Sequence, residues 1–184
     1  MKEDILDLLE KEEIKLISIL EFKDLKVFRS SIDEYTDFLI EDALDLESKN
    51  ISKTHLLVNK DKTKIFGYMT LLAGSIKLSI EERSKHGEIP YESVPCLKIG
   101  KLAVDEDSRI QYKGIGTLLI ELALALGIEM SEIGIGCRFL VVDADIENND
   151  SVIEFYKKCG FKYNEKYKKK KKQRTISMRK DIYG

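Results

Sequence analysis

The stretch that most constrains this chain runs from residue 96 to residue 142. An apolar run ends at Val104, and DEDSRIQYKGIGT follows it. Next comes the strongest helical pattern in the chain, residues 116–133, with Leu118, Leu119, Leu122, Ala123 and Leu126 along one side. Residues 137–142 are then nearly all apolar after Arg138, as a strand covered on both faces requires. Strand, glycine turn, helix and buried strand in that order predict a strand–helix–strand unit inside a mixed α/β protein.

The flanks add antiparallel pieces. Ile5, Leu8 and Leu9, with Ile14 just beyond, stand near helical spacing and predict a short amphipathic helix over residues 2–13, and residues 14–22 read as a first strand. Residues 31–48 repeat Ile32, Tyr35, Phe38, Leu39, Ala43 and Leu46, which predicts a helix with acids on its outer face. Residues 54–59 and 64–73 predict a hairpin around the polar turn 60–63. Residues 75–89 read as a polar loop with one helical turn. Ser151 and Glu154 have the spacing of a capping box, and Gly160 stands where that helix should stop. Residues 161–168 and 174–181 predict a closing hairpin around a lysine turn.

No linker or internal repeat divides the chain, so its 184 residues are expected to form a single domain. The acidic, amphipathic start predicts no secretory signal, and no apolar run approaches the ~20 residues of a membrane span. Cys96, Cys137 and Cys159 form no CxxC pair, and only His55 and His86 are available as histidines. No metal centre or disulfide framework is expected, and a reducing, cytoplasmic setting is. The net charge of −2 is unevenly spread: residues 1–50 hold 15 acids against 7 bases, whereas residues 162–180 hold ten bases against Glu165. A basic end of that kind either faces phosphate or is a solvated hairpin turn.

The glycines carry the chemistry. Gly114 and Gly116 directly before a helix let a ligand approach backbone N–H groups, and a helix start favours an anion. The dinucleotide fingerprint fails because Leu119 stands at its third glycine, and the P-loop fails because Gly-Lys-Ser/Thr is missing. What remains is Gln-x-x-Gly-x-Gly at Gln111, Gly114 and Gly116. Taken alone, such glycines also serve as plain turns and caps.

Residues 94–161, VPCLKIGKLAVDEDSRIQYKGIGTLLIELAL and then FLVVDADIENNDSVIEFYKKCGF, resemble the acyl-CoA-binding core of the GNAT family of N-acetyltransferases. GYMTLLAG, IGKLAVD, LVVDA and FYKKCGF are similar to the branch that includes acetyltransferases of toxin–antitoxin pairs. The resemblance implies a single N-acetyltransferase domain over 1–184, with its core at 94–161 and a C-terminal hairpin at 161–182. It implies a central, mostly antiparallel twisted sheet with a splayed strand pair and flanking helices. Acetyl-CoA would be the acyl donor and a primary amine the acceptor. Leu102, Ala103 and Val104 would lend backbone to the pantetheine arm. Gln111, Tyr112, Lys113, Gly114, Ile115, Gly116 and Thr117 would wrap the pyrophosphate. Asn149 would touch the donor beside its sulfur, and Tyr156 would protonate the leaving thiolate. Lys113 stands where relatives often have arginine, which loses the bidentate fork.

No general base is singled out: Asp105, Asp143 and Asp145 follow strand ends and either act through water or only order loops. Tyr156 also lies on the apolar face of its helix, and Asn149 competes with Ser151 as a cap. A homodimer and an antitoxin partner are compatible with the family. Acetylation of aminoacyl-tRNA is the rival the basic end supports and the acidic start opposes. A non-catalytic acyl-CoA-binding module is the rival from another class.

Overall fold

In the computed structural model, residues 2–149, 151–165 and 173–184 are described, and they form two compact units. The first comprises residues 1–72 and 100–123, the second residues 73–99 and 124–184.

The first unit opens with a two-residue strand, β1 (Glu3–Asp4), and helix α1 (Ile5–Glu10), whose first turn is capped by the Asp4 carboxylate. Strand β2 (Ile14–Ser18) is shorter than its apolar pattern, because Ser18 starts a 3₁₀ turn with a capping box to Glu21. β2 pairs antiparallel with β3 (Lys53–Asn59), and β3 with β4 (Ile65–Lys77). The expected hairpin is there, and Asn59 closes its turn: the Asn59 Oδ1 accepts from the N–H groups of Thr63 at 2.9 Å and Lys64 at 2.8 Å. The helix expected over 31–48 is interrupted. α2 (Asp33–Asp37) passes through a π turn (Phe38–Asp42) into α3 (Ala43–Ser48). Leu39 and Ala43 from this segment join Ile17, Leu56, Val58, Tyr68 and Ala103 in one apolar cluster. Tyr68 is fully buried and donates its hydroxyl to the Tyr35 carbonyl at 2.8 Å. Burial forces its phenol well above the ordinary tyrosine range, so it stays neutral.

β4 and β5 (Ser93–Val104) each have residues in both units. Residues 105–117, expected as one loop, contain a helix, α5 (Glu106–Gln111), and a two-residue strand, β6 (Tyr112–Lys113), before α6 (Ile115–Glu132).

In the second unit β4 runs to Lys77 and is followed by α4 (Ile80–Lys85), where a loop with one helical turn was expected. β5 pairs parallel with β7 (Phe139–Asp145) from Cys96↔Phe139 to Ile99↔Val142, and the ladder stops there although β5 continues to Val104. Helix α7 (Val152–Lys158) follows β7. The final hairpin has a two-residue arm, β8 (Lys162–Tyr163), against β9 (Thr175–Asp181), which also pairs with β7. The lysine turn at 166–172 lies outside the described residues. Phe139 and Val141 pack with Ile76, Leu78, Val94 and Cys96 as this unit's core. Cys159 is only half-buried. Apart from β1–β6 and β5–β7, these pairings are antiparallel, so the class is mixed α/β as expected.

Candidate functional site

The glycine loop is built from three constraints in the first unit. Asp105, only 6% exposed, ends β5 and caps α5: its Oδ2 accepts from the Ser108 N–H at 2.9 Å and the Ser108 hydroxyl at 2.8 Å. Its Oδ1 accepts from the Arg29 N–H at 3.3 Å. This strand-end carboxylate therefore holds backbone in place, and its burial removes it from bulk water. At the far end Gly114 adopts φ +86°, a conformation side-chain-bearing residues rarely hold, and turns the chain directly into α6. The first bond of that helix runs from the Leu118 N–H to the Gly114 carbonyl at 2.9 Å. The N–H groups of Ile115, Gly116 and Thr117 lie ahead of it, in the first turn, where a helix supplies no acceptor. With the helix dipole behind them, N–H groups so placed favour an anion.

Gly67 is the third constraint, and sequence reasoning missed it. A Cβ there would stand 2.7 Å from the Ala103 carbonyl oxygen and 3.1 Å from Leu119 Cδ1. Only glycine lets the start of α6 and the end of β5 approach β4 this closely.

Ala103 is buried in the apolar cluster, while Leu102 and Val104, on the other face of β5, are half-buried. Gln111 is exposed and accepts from Lys64 Nζ at 3.4 Å. The Lys64 ammonium stands 5.2 Å from the Phe66 ring centre and 5.7 Å from that of Tyr112. Lys113 is largely exposed and reaches the Asp4 carboxylate at 3.2 Å.

Asn149 and Tyr156 belong to the second unit. The capping box expected at Ser151 does not form. Asn149 supplies the oxygen instead, its Oδ1 accepting from the Ser151 N–H at 3.0 Å and the Ser151 hydroxyl at 2.8 Å. Tyr156 is 5% exposed, with its ring edge-on to Phe155 at 5.0 Å and Phe161 at 5.3 Å. Asp145 Oδ1 accepts from the N–H groups of Glu147 and Asn148, and Asp143 bridges to Lys98 at 2.6 Å. Burial pushes the Cys96 thiol up to about 12 and raises that of Cys137, so neither supplies a thiolate at neutral pH. His86 contacts Asp181 at 2.8 Å. Among the described residues no group of three or more His, Cys, Asp or Glu could hold a metal ion. Among them, too, no helix is long and apolar enough to cross a membrane.

The model of the Acetyltransferase (GNAT) family matches residues 21–161. The chain belongs to this family. It is an acetyl-CoA-dependent acyltransferase. Solved structures agree in fold. AtaT complexed with acetyl-methionyl-tRNAfMet superposes with a TM-score of 0.71 at 21% identity, covering 90% of this chain and 94% of that one. A tyrosine-to-phenylalanine mutant of KacT gives 0.73 at 20% identity, covering 93% and 96%. AtaTR bound with AcCoA gives 0.70 at 21%, covering 94% and 95%. No curated protein matches significantly.

Proposed function

We propose that residues 1–184 act as one cytoplasmic N-acetyltransferase domain that passes the acetyl group of acetyl-CoA directly to a primary amine. The acyl-CoA-binding core is residues 94–161, and the family match crosses the boundary between the two units. The observation that carries the reading is the positive-φ Gly114 set against the first turn of α6, a backbone cradle for a pyrophosphate. Gln111, Tyr112, Lys113, Ile115, Gly116 and Thr117 complete that cradle, and Leu102, Ala103 and Val104 run beside the pantetheine arm.

In the reaction the amine lone pair attacks the thioester carbonyl carbon, the C–S bond breaks, and the thiolate takes a proton from the Tyr156 hydroxyl. The nitrogen loses its own proton to water, and water returns one to the Tyr156 phenolate. A phenol of pKa about 10 is a slightly weaker acid than a thiol of about 8.5, so the transfer depends on fixed geometry. The packing of Tyr156 between Phe155 and Phe161 supplies rigidity. KacT and AtaT were both solved as tyrosine-to-phenylalanine mutants, which supports a working tyrosine in this fold. Asn149 has a smaller part, because its carbonyl oxygen already accepts twice from Ser151.

Calorimetry with acetyl-CoA, followed by thiol release over a panel of amines, tests this. Gly114→Glu should abolish donor binding in a protein that still melts cooperatively. Tyr156→Phe should bind normally and lose ten- to a hundredfold in kcat, roughly 1.4–2.8 kcal/mol. Absence of heat with millimolar acetyl-CoA would refute the donor site, and full turnover in Tyr156→Phe would refute the acid.

A second reading takes the amine of aminoacyl-tRNA as acceptor. It is favoured by the AtaT complex with acetyl-methionyl-tRNAfMet and by the ten bases between residues 162 and 180. Including charged tRNA in the panel separates the two. KacTA–DNA and AtaT–AtaR complexes make an antitoxin partner part of this second reading.

A further inference from the structure

A short strap from the start of the chain lies on the glycine loop of the first unit. β1 pairs in parallel with β6, Glu3 opposite Tyr112 and Asp4 opposite Lys113. Lys2 Nζ donates to the Arg109 carbonyl at 2.7 Å. Ile5 is fully buried, with its Cγ2 3.4 Å from where a Cβ on Gly114 would stand. The Asp4 carboxylate has two contacts. Oδ1 accepts from the Leu6 N–H at 3.2 Å and is 3.5 Å from that same Gly114 position, while Oδ2 meets Lys113 Nζ at 3.2 Å.

We propose that Asp4 is a positioning residue for the donor: by holding Lys113 and setting a negative charge beside Gly114, it weakens the loop's grip on the phosphates of acetyl-CoA. This rests on residues 111–117 being the pyrophosphate seat. The loop presents N–H groups and one nearby ammonium to an anion, and Asp4 competes with that anion for both. A lysine is a point charge, and a carboxylate beside it offsets part of that charge, so Lys113 paired with Asp4 attracts a phosphate less strongly. Both partners are partly exposed, which keeps the competition modest and sensitive to salt. The strap makes donor affinity adjustable: whatever moves residues 2–5 off β6 also releases Lys113.

The test is the dissociation constant of the full chain for acetyl-CoA, with acetylpantetheine, which lacks the phosphates, as control probe. Asp4→Asn keeps an oxygen that can cap α1, so the melting temperature should hold. The substitution should tighten acetyl-CoA binding about three- to tenfold at low salt, with the gain shrinking as salt rises. Binding of acetylpantetheine should not change. Lys113→Gln should weaken acetyl-CoA binding and erase most of the Asp4→Asn gain when the two are combined. Unchanged or weaker binding in Asp4→Asn, or an equal gain with acetylpantetheine, overturns the proposal. If Gly114→Glu also leaves acetyl-CoA binding intact, the loop reading falls with it.

Discussion

The two units bury their acids in different company. In the first, Asp105 accepts from the N–H groups of Ser108 and Arg29, and Glu47 accepts from the N–H of Thr54 at 2.9 Å while its cation, Lys53 at 2.9 Å, is itself exposed. In the second, Glu82 meets a buried guanidinium, Arg179, at 2.7 Å, with both side chains under 10% exposed. Arg179 also donates to the Tyr163 carbonyl and to Asn164 Oδ1 at 2.8 Å, while Glu82 caps α4 at Ser79. A carboxylate answered by N–H groups fixes where the chain turns. One answered by a cation fastens distant segments together, here α4 to the β8–β9 hairpin. Asp105 thereby shapes the start of the segment that leads to the glycine loop, and Glu82 anchors the polar stretch 78–92.

That difference sets the sizes of the expected effects. Arg179→Met leaves the Glu82 charge buried without its cation and should cost about 3–5 kcal/mol, read by chemical denaturation. Adding Glu82→Gln removes the charge while keeping an acceptor for the Ser79 N–H, so the double variant should recover much of the loss. A double variant no better than Arg179→Met would show that packing, not charge, holds this region. Acid should act alike. Desolvation pushes the Glu82 carboxyl up, but the Ser79 N–H and Arg179 outweigh it, so the group lies below its ordinary range. The stability it contributes is present above the ordinary glutamate pKa of about 4.3 and is lost as pH falls through the lower folded value.

Asp105→Ala in the first unit should cost less, about 1–2 kcal/mol, since it frees a short helix end and one further N–H. Its sharper signature is local: amides of α5 and the following loop should exchange faster, and acetyl-CoA should bind more weakly. A global loss as large as that of Arg179→Met would break the contrast.

How far residues and spacing foretold these features follows from the range of the interactions. α6, the β3–β4 hairpin and the apolar β7 were legible, because periodicity and turn residues within a dozen positions decide them. The burial of Tyr156 followed from its place on an apolar helix face. α5 was missed, though Asp105 with Ser108 three residues on is a readable cap, because a short, charged segment has no apolar periodicity. The Ser151 box was misread because Asn149, just upstream, offers a better-placed oxygen. Gly67, the β1–β6 pair and the Glu82–Arg179 bridge were out of reach. Each depends on segments far apart in sequence, and a two-residue strand or a mid-strand glycine carries no local pattern. The glycines at 114 and 116 were visible, but the strap lying on their loop was not.

The smallest expected effect is also the most selective. His55, in β3, is held below the ordinary imidazole range chiefly by burial, which the nearby Glu47 charge only partly offsets. The sign follows from linkage. Above about pH 6.5 the ring is neutral whether the chain is folded or not, so it costs nothing. As pH falls from there the unfolded chain takes up the proton first, and the first unit loses stability until the folded value is passed. In the second unit Glu82 and Asp181 lie below the ordinary carboxylate range, so neither takes up a proton in that window. Hydrogen exchange between pH 7 and 5.5, corrected for intrinsic rates, should therefore show β2, β3 and β4 opening more easily while β7 and β9 hold. His55→Gln should flatten the first response and leave the second untouched. An unchanged pH profile in His55→Gln would assign the acid sensitivity of the first unit to another group.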